Sequence, residues 1–281
     1  MQTKKCIVIT GPTASGKTDL AVEIALKHHT EILSADSRQC YKELDIGVAR
    51  PSADQLSAVS HHFIGSHSIH EEVNSKTFEQ YGLQELEAIF REKEVAVVVG
   101  GTGLYLKALF QGLDEVPVVD PAIREDLIAH YREKGLQWLQ EEIRSNDPLF
   151  FSKGEIQNPQ RVMRALEVVR SSGISILEFQ TGKKLQRDFE VEQIFLDIPR
   201  EELYQRINRR VDLMMDAGLL AEAEGLYSFR HLNALRTVGY QELFEYMEGR
   251  SSLEKAVESI KINTRHYAKR QITWFRKFRL D

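Results

Sequence analysis

Short, continuous apolar runs alternate with helical segments over the first part of the chain. The runs Lys5–Thr10, Glu31–Ala35 and Val95–Val99 are predicted strands, and each is followed by a glycine or polar turn. Uninterrupted apolar runs are typical of strands that a parallel sheet buries on both faces. Gly16–His28 and Thr77–Lys93 are predicted helices, the second on the spacing of its apolar residues. This alternation predicts an α/β fold, with a parallel sheet flanked by helices on both sides.

The pattern changes after about Leu113. Residues 120–180 have helical signals and no strong strand signal. The strand signal returns at Val191–Ile198. Further helices are predicted after it, at Arg200–Ala217, Leu219–Phe229, Val238–Glu248 and Leu253–Phe278.

These changes indicate how the chain is divided. With 281 residues it is long enough for one large domain that carries an insert. We predict a catalytic core formed by residues 1–113 and 191–281. A mainly helical insert at residues 114–190 interrupts it.

A glycine-rich segment with a lysine near its end lies between the first predicted strand and helix. It matches G-x-x-x-x-G-K-[ST] in the strand–turn–helix context that this pattern requires. Backbone N–H groups of such a loop converge on phosphate oxygens at the positive end of the helix. Lys17 neutralises the phosphates, and the Thr18 hydroxyl is a ligand for Mg²⁺, the predicted cofactor. We predict a P-loop NTPase-like fold with the diphosphate-binding residues Gly11, Pro12, Thr13, Ala14, Ser15, Gly16, Lys17 and Thr18.

A phosphate-binding loop alone leaves the reaction open. A small-molecule kinase is the default, and such enzymes usually hold Mg²⁺ with an Asp at the end of a second strand. Here the run Val95–Val99 leads into Gly100-Gly101-Thr102, which has no carboxylate. Asp36 follows the second predicted strand, so we expect it at the carboxyl ends of the strands, where open α/β sheets bind ligands. The kinase interpretation is weakened, and Asp36 becomes the candidate carboxylate.

Formal charge is distributed unevenly along the chain. The whole chain has a net charge of −5, but the segment Lys261–Asp281 holds seven Lys or Arg residues and one acidic residue. Within it, Lys269–Arg276 interleaves basic and aromatic side chains, a combination that binds phosphates and stacks on bases. A localised phosphate-binding face would produce this asymmetry, as would a solvated helix face.

Cysteine content and hydropathy bear on location. Cys6 and Cys40 are the two cysteines of the sequence, which favours a reduced, cytosolic chain without a disulfide framework. No apolar stretch approaches the length of a membrane span. The start, Met1–Lys5, leads directly into a short apolar run and lacks the features of a secretion signal. We therefore expect a cytoplasmic protein with no membrane segment, and we expect it to act as a monomer.

Six segments spread over nearly the whole chain resemble a known family. They are GPTASGKT (11–18), SADSRQCYKELDIGVARP (34–51), GGTGLY (100–105), PQRVMRALEV (159–168), RTVGYQEL (236–243) and AKRQITWFR (268–276). In this order they resemble the tRNA dimethylallyltransferases, the bacterial-type tRNA isopentenyltransferase family. The resemblance implies transfer of a dimethylallyl group from dimethylallyl diphosphate to the N6 amine of the adenosine 3′ to the anticodon. The acceptors would be tRNAs that read codons beginning with U, and diphosphate would be released.

The resemblance also implies roles at the reacting centre. Asp36 matches the family's general base, and a carboxylate that accepts the proton helps a weakly nucleophilic aryl amine to attack. Arg210 matches an arginine that reaches the diphosphate, although Arg206 and Arg209 are close rivals. A planar, permanently charged guanidinium is suited to stabilising a leaving group. The predicted catalytic residues are Asp36, Arg210, Thr18 and Lys17.

The implied acceptor is the anticodon stem-loop, whose target base must leave its stack to reach the chemistry. Gln39 could contact an adenine edge, since an amide pairs with it through two hydrogen bonds. Arg161 and Arg164, three residues apart, share a helix face that would contact the RNA backbone. The insert is thus expected to contact the RNA. The predicted tRNA-binding residues are Asp36, Ser37, Arg38, Gln39, Thr102, Arg124, Gln160, Arg161, Val162, Met163, Arg164, Arg236, Lys269, Arg270, Trp274 and Arg276.

Three alternatives stay open on the sequence. A small-molecule kinase would release ADP from ATP rather than diphosphate from a prenyl donor. An adenylate prenyltransferase that acts on free nucleotides would need neither the helical insert nor the basic segment. A non-enzymatic RNA-binding module would need neither Lys17 nor Asp36.

Overall fold

A parallel sheet lies at the centre of the fold in the computed structural model, which describes residues 4–280. Within that range the sheet has five strands, in the order β3-β2-β4-β1-β5. The central strand β1 pairs with β4 on one side and β5 on the other, with Cys6 opposite Ala96 and Val191. The strands are β1 (Lys5–Thr10), β2 (Ile32–Ser34), β3 (His61–His62), β4 (Val95–Gly100) and β5 (Glu190–Phe195).

Helices connect the strands and follow the last one. In chain order they are α1 (Lys17–Lys27), α2 (Ala53–Ala58), α3 (Ser75–Glu92), α4 (Gly103–Gln111), α5 (Pro121–Asn146), α6 (Pro148–Lys153), α7 (Pro159–Ser172), α8 (Ile176–Phe179), α9 (Arg200–Asp216), α10 (Leu219–Leu226), α11 (Tyr240–Met247) and α12 (Leu253–Lys277).

The apolar residues of the strands supply two hydrophobic clusters, because successive side chains point to opposite faces of a sheet. On β4, Val97 and Val99 pack in a cluster that includes the α1 residues Ala21 and Ala25. The alternate residues Ala96 and Val98 belong to the larger cluster, which includes residues of α3, α4, α11 and α12. The continuous apolar runs of the sequence therefore correspond to strands that are covered on both faces.

The chain forms two compact units. One comprises the residues up to Gly112 together with those from Leu185 onwards, and the other is Leu113–Lys184. The second unit contains α5 to α8 and has its own hydrophobic cluster. Its longest helix, α5, is interrupted at Gly135, whose backbone φ of 73° is not helical.

The second unit ends earlier than the insert predicted from the sequence, at Lys184 rather than at residue 190. The difference arises because the intervening residues bind to the core. The Leu185 amide donates to the Gln111 carbonyl at 2.9 Å, and the Arg187 guanidinium pairs with the buried Glu79 carboxylate at 2.9 Å. At the ends of the predicted core, residues 1–3 and 281 lie outside the described residues.

The predicted fold class is confirmed: a P-loop NTPase-like parallel sheet is flanked by helices, and a mainly helical segment is inserted. No helix within residues 4–280 is both long enough and apolar enough to cross a membrane.

Candidate active site

The glycine loop, residues 11–18, connects the carboxyl end of β1 to the start of α1. Its first and sixth residues, Gly11 and Gly16, have φ of 150° and 88°, a region that favours glycine. Space is also limited at Gly11, where a Cβ would lie 2.9 Å from the Leu196 carbonyl oxygen. These two positions let the backbone turn tightly over the end of the sheet.

Several polar groups gather at the end of this loop and the start of α1. No side chain caps α1, so its first amides lack the partner that a capping residue would supply. The Ser15 hydroxyl is buried and has no hydrogen-bond partner among the described residues. The Lys17 ammonium reaches back and donates to the Pro12 carbonyl at 2.6 Å. Free amides, a hydroxyl and an ammonium at a helix N-terminus suit an anion such as phosphate.

The Lys17 ammonium is unusually acidic. Burial, and next the positive charge of Arg210, lower its pKa to about 8, while the negative charge of Asp36 opposes them. Burial also lowers the pKa of Arg210, against the opposing charge of Asp19. Both cations are thus held where water solvates them poorly, so a bound anion would stabilise them.

The turn that carries Asp36 follows β2. Asp36 Oδ1 accepts hydrogen bonds from the amides of Arg38, at 2.8 Å, and Gln39, at 3.2 Å. The Ser37 amide donates to the Thr102 hydroxyl at 3.1 Å. This arrangement holds the turn next to the loop that follows β4.

The approach of these two loops depends on Gly100. A Cβ at this position would lie 2.2 Å from the Ala35 carbonyl oxygen, so only glycine fits beside β2. The Ala35 amide donates to the Val99 carbonyl at 2.7 Å, and the Ala35 carbonyl accepts a hydrogen bond from the Thr102 amide at 3.2 Å. Asp36 and Thr102 are therefore neighbours at the carboxyl ends of the strands, as the strand order required.

Arg210 of α9 is the member of its arginine cluster that reaches the glycine loop. Its Nη1 donates to the Thr13 hydroxyl at 3.3 Å. Arg206 instead pairs with Glu202 at 2.7 Å, one turn away on the same helix. Arg209 is exposed. The geometry thus distinguishes between the three arginines, which the sequence alone left as rivals.

Two cavities meet at Asp36 and Arg210. The larger, about 560 Å³, is lined by the glycine loop from Thr13 onwards and by the 45–53 segment. The smaller, about 370 Å³, opens between Arg38, Arg236 and Arg270. The residues that line both are Thr13, Asp36, Val48, Ala49, Arg210, Met214 and Tyr267.

Tyr267 of α12 is a site residue that sequence reasoning missed. Burial raises the pKa of its phenol, as does the charge of Asp36, whereas a hydrogen bond with the Thr102 side chain lowers it. The phenol therefore lies beside both groups, between the two cavities. Its signal in the sequence was weak, since it is one aromatic residue within a long basic helix.

The basic segment of α12 divides into exposed and buried side chains. Lys269, Arg270 and Arg276 are exposed, as a role in RNA binding would need. Phe275 is buried in the core. Trp274 is half-buried against Gly103, where a Cβ would lie 2.1 Å from the indole Nε1, and this Nε1–H has no partner among the described residues.

The side chains of the 36–39 turn are largely engaged by the protein. Gln39 Nε2 donates to the Ala49 carbonyl at 2.9 Å, and its Oε1 accepts from Ser34 at 3.1 Å. Arg38 donates to the Asn233 carbonyl at 2.8 Å. Both ends of the Gln39 amide are thus satisfied within the chain, so this amide supports the turn rather than offering free groups to a base. Arg236, nearby, is exposed.

The residues predicted to bind RNA on α7 do not share one environment. Gln160 and Arg161 are exposed. Val162 and Met163 are buried in the core of the helical unit, so their side chains are not available to RNA. They face inwards because they follow the apolar stripe of the helix.

Arg164 and the exposed Arg124 of α5 both bind the buried carboxylate of Glu167. The two guanidinium groups lie 3.1 Å and 3.2 Å from its oxygens. The pairing neutralises a buried charge and brings two cations together on the surface of this unit. Arg161 pairs separately with the exposed Glu155 at 3.2 Å.

Comparisons with known proteins agree on one family. A family model described as IPP transferase matches residues 39–278. The chain is 48% identical over 271 residues to the tRNA dimethylallyltransferase of Christiangramia forsetii, covering 96% of this chain and 90% of the relative. It is 46% identical over 274 residues to that of Cytophaga hutchinsonii, covering 98% and 90%.

Solved structures show the same similarity. The full-length tRNA isopentenylpyrophosphate transferase of Bacillus halodurans superposes with a TM-score of 0.71 at 34% identity, covering 98% of this chain and 88% of that one. A eukaryotic dimethylallyltransferase acting on tRNA gives a TM-score of 0.80 at 28% identity, covering 97% and 70%. The matches span nearly the whole chain, in sequence and in structure: the chain belongs to the IPP transferase family.

Proposed function

We propose that this tRNA prenyltransferase takes a dimethylallyl group from dimethylallyl diphosphate. The acceptor is the N6 amine of the adenosine 3′ to the anticodon, in tRNAs that read codons beginning with U. The observation that carries the proposal is the meeting of two cavities at Asp36. One contains an anion-binding loop, and the other is bordered by arginines, so a diphosphate and an RNA base could approach the same carboxylate from two sides.

The donor binds with its diphosphate on the glycine loop. The amides at the start of α1, the Ser15 hydroxyl and the Lys17 ammonium surround the phosphate oxygens. Within residues 4–280 no cluster of three acidic, His or Cys side chains could hold a metal ion. This fits Mg²⁺, which binds substrate phosphates with few protein ligands and keeps several waters. The Thr18 hydroxyl would hold it, and its charge would stabilise the leaving diphosphate.

The reaction forms one bond and breaks one. The N6 nitrogen attacks the first carbon of the dimethylallyl group, and the bond from that carbon to the diphosphate oxygen breaks. Asp36 accepts the proton from the amine, using the oxygen that does not bind the Arg38 and Gln39 amides. Lys17 and Arg210 stabilise the negative charge that develops on the diphosphate.

The RNA side uses exposed cations around the smaller cavity. Arg236, Lys269, Arg270 and Arg276 are exposed and suit phosphate contacts. The target adenine leaves its stack and enters this cavity next to Thr102 and Tyr267. In the helical unit, we propose that Arg124, Gln160, Arg161 and Arg164 contact the anticodon stem-loop. We also propose that the enzyme acts as a monomer in the cytoplasm, where its two free, buried cysteines would stay reduced.

The direct test is product analysis. The protein is incubated with dimethylallyl diphosphate, Mg²⁺ and an unmodified tRNA that reads a U-initial codon, and the nucleosides are then separated. We expect one prenylated adenosine per tRNA and release of diphosphate. The matched control is the same tRNA with guanosine at the target position, which should stay unmodified. Absence of prenylated adenosine, or release of ADP when ATP is supplied, would contradict the proposal.

Donor binding should weaken as the pH rises above about 8, the pKa of Lys17. Below this pH the ammonium is charged and pairs with the diphosphate. Above it, the free protein carries a neutral amine and must take up a proton to bind, so affinity should fall by up to about tenfold per pH unit. Calorimetry with inorganic pyrophosphate from pH 7 upwards measures this slope.

Lys17→Arg is the matched control for this pH dependence. A guanidinium stays protonated over the whole range, so whatever affinity the variant retains should not show the same loss above pH 8. A flat profile for the unmodified protein would mean that Lys17 does not titrate in the free enzyme.

A further inference from the structure

Gln271 of α12 lies between two loops of the site. Its side chain is buried, with 6% exposed. Oε1 accepts a hydrogen bond from the Thr13 amide at 2.8 Å, and Nε2 donates to the Gly101 carbonyl at 3.1 Å. An amide N–H only donates and a carbonyl only accepts, so the two partners fix the orientation of the side chain. One residue thus joins the glycine loop to the loop after β4.

The contact with Gly101 is tight. A Cβ at position 101 would lie 2.0 Å from Gln271 Nε2, closer than any real contact. If the side chain moved and lost either partner, buried polar groups would be left unpaired, which costs free energy. The backbone of the loop after β4 is therefore fitted to this side chain.

Thr13 is the point of the glycine loop that Gln271 holds. The Thr13 amide is occupied by Gln271 and its hydroxyl by Arg210, at 3.3 Å. The Thr13 amide is therefore not a free donor for a ligand, which leaves the later amides of the glycine loop and those at the start of α1 for an anion. Fixing Thr13 sets the curvature of the loop independently of any ligand, and preorganised donors are what stabilise developing charge effectively.

The position of Gln271 on α12 separates it from the RNA-facing side chains. Tyr267, four residues earlier, shares its face and lies beside Thr102 and Asp36. Lys269 and Arg270 point to solvent. Gln271 is uncharged and buried, so it contributes neither to RNA attraction nor directly to charge on the diphosphate.

We propose that Gln271 is a positioning residue for the donor: it holds Thr13 against Gly101, so that the diphosphate meets a preformed glycine loop. The identity of the donor rests on the proposed function. The effect of Gln271 on the loop does not, because inorganic pyrophosphate reports on it without any transfer reaction.

Gln271→Met keeps the size of the side chain and removes both hydrogen bonds. We expect the dissociation constant of inorganic pyrophosphate and the KM for the donor to rise by roughly tenfold to a hundredfold, because small misplacements of binding groups cause losses of this size. The dissociation constant of tRNA should not change, and kcat should fall less than kcat/KM for the donor. Lys255→Gln, an exposed change near the start of the same helix and outside the 269–276 segment, is the control and should leave all of these values unchanged. Wild-type pyrophosphate affinity in a folded Gln271→Met would overturn the proposal.

Gln271→Glu provides a second test if the methionine variant does not fold. It keeps an acceptor for Thr13 but turns an oxygen towards the Gly101 carbonyl and adds negative charge near the loop. Pyrophosphate binding should weaken more than in Gln271→Met, and unchanged binding would again overturn the proposal.

A double-mutant cycle with Gly101 isolates the contact itself. Gly101→Ala should displace Gln271 and reproduce the loss of pyrophosphate affinity. Because Gln271→Ala makes room for the new methyl group, the double variant should bind no worse than Gln271→Ala alone. Losses that multiply in the double variant would contradict the proposal. Failure of the unmodified protein to prenylate tRNA, with this cycle as expected, would count against the proposed function only.

Discussion

Asp36→Asn should lower the rate of prenyl transfer by about 10² to 10⁴-fold, the usual contribution of a general base, and leave tRNA affinity unchanged. The substitution is suited to this site because Asp36 has two roles. Its Oδ1 accepts hydrogen bonds from the amides of Arg38 and Gln39, and an asparagine oxygen can accept both, although less strongly than a carboxylate. What asparagine loses is the ability to take the proton from the amine. Single-turnover kinetics with saturating donor, together with tRNA binding by filter retention, measure the two quantities separately.

Asp36→Ala completes the comparison. It should lose turnover to the same degree and still bind tRNA, but the two amides lose their acceptor, so its melting temperature should fall below that of Asp36→Asn. Near-normal turnover in Asp36→Asn would show that another group accepts the proton.

Arg210→Ala should lower kcat/KM for the donor by roughly 10² to 10³-fold, the loss typical when a donor to developing charge is removed. The guanidinium lies at the glycine loop, 3.3 Å from the Thr13 hydroxyl, and its burial makes its charge effective. Arg210→Lys keeps the charge but not the planar fork, so its kcat/KM for the donor should lie between the values of the unmodified protein and Arg210→Ala. Steady-state kinetics with varied donor and saturating tRNA give the values.

Arg206→Ala is the matched control on the same helix. Its guanidinium is exposed and already paired with Glu202, so its removal should leave kcat/KM for the donor unchanged. If Arg206→Ala were as defective as Arg210→Ala, then general positive charge on α9, and not contact with the loop, would explain the loss.

β1, β2 and β4 were predictable because they are buried on both faces and therefore appear as continuous apolar runs in the sequence. β5 lies at the edge of the sheet and none of its residues is fully buried, but its apolar residues still predicted it within a few residues of its observed bounds. β3 was not predicted, since two histidines carry no apolar signal. α4 was missed for the opposite reason: six of the nine residues of GLYLKALFQ are buried, and the helix has no continuous polar face.

The site was predictable where the chemistry is local. The glycine loop and Asp36 each follow a predicted strand, and parallel strands bring such turns to one edge. Tyr267 and Gln271 could not be inferred, because their positions depend on how α12 packs against loops more than 150 residues away in sequence. Val162 and Met163 were included among the RNA contacts because they fall inside a contiguous motif, but the helical period turns them inwards.

The packing of Trp274 over Gly103 has a consequence for sequence variation. An indole ring occupies the space in which any side chain at position 103 would stand. The two positions, about 170 residues apart in the chain, are therefore under a shared steric constraint. Among members of the family, a residue larger than glycine at 103 should occur together with a smaller one at 274. Such covariation would align the start of α4 with α12 in remote homologues whose intervening sequence has diverged.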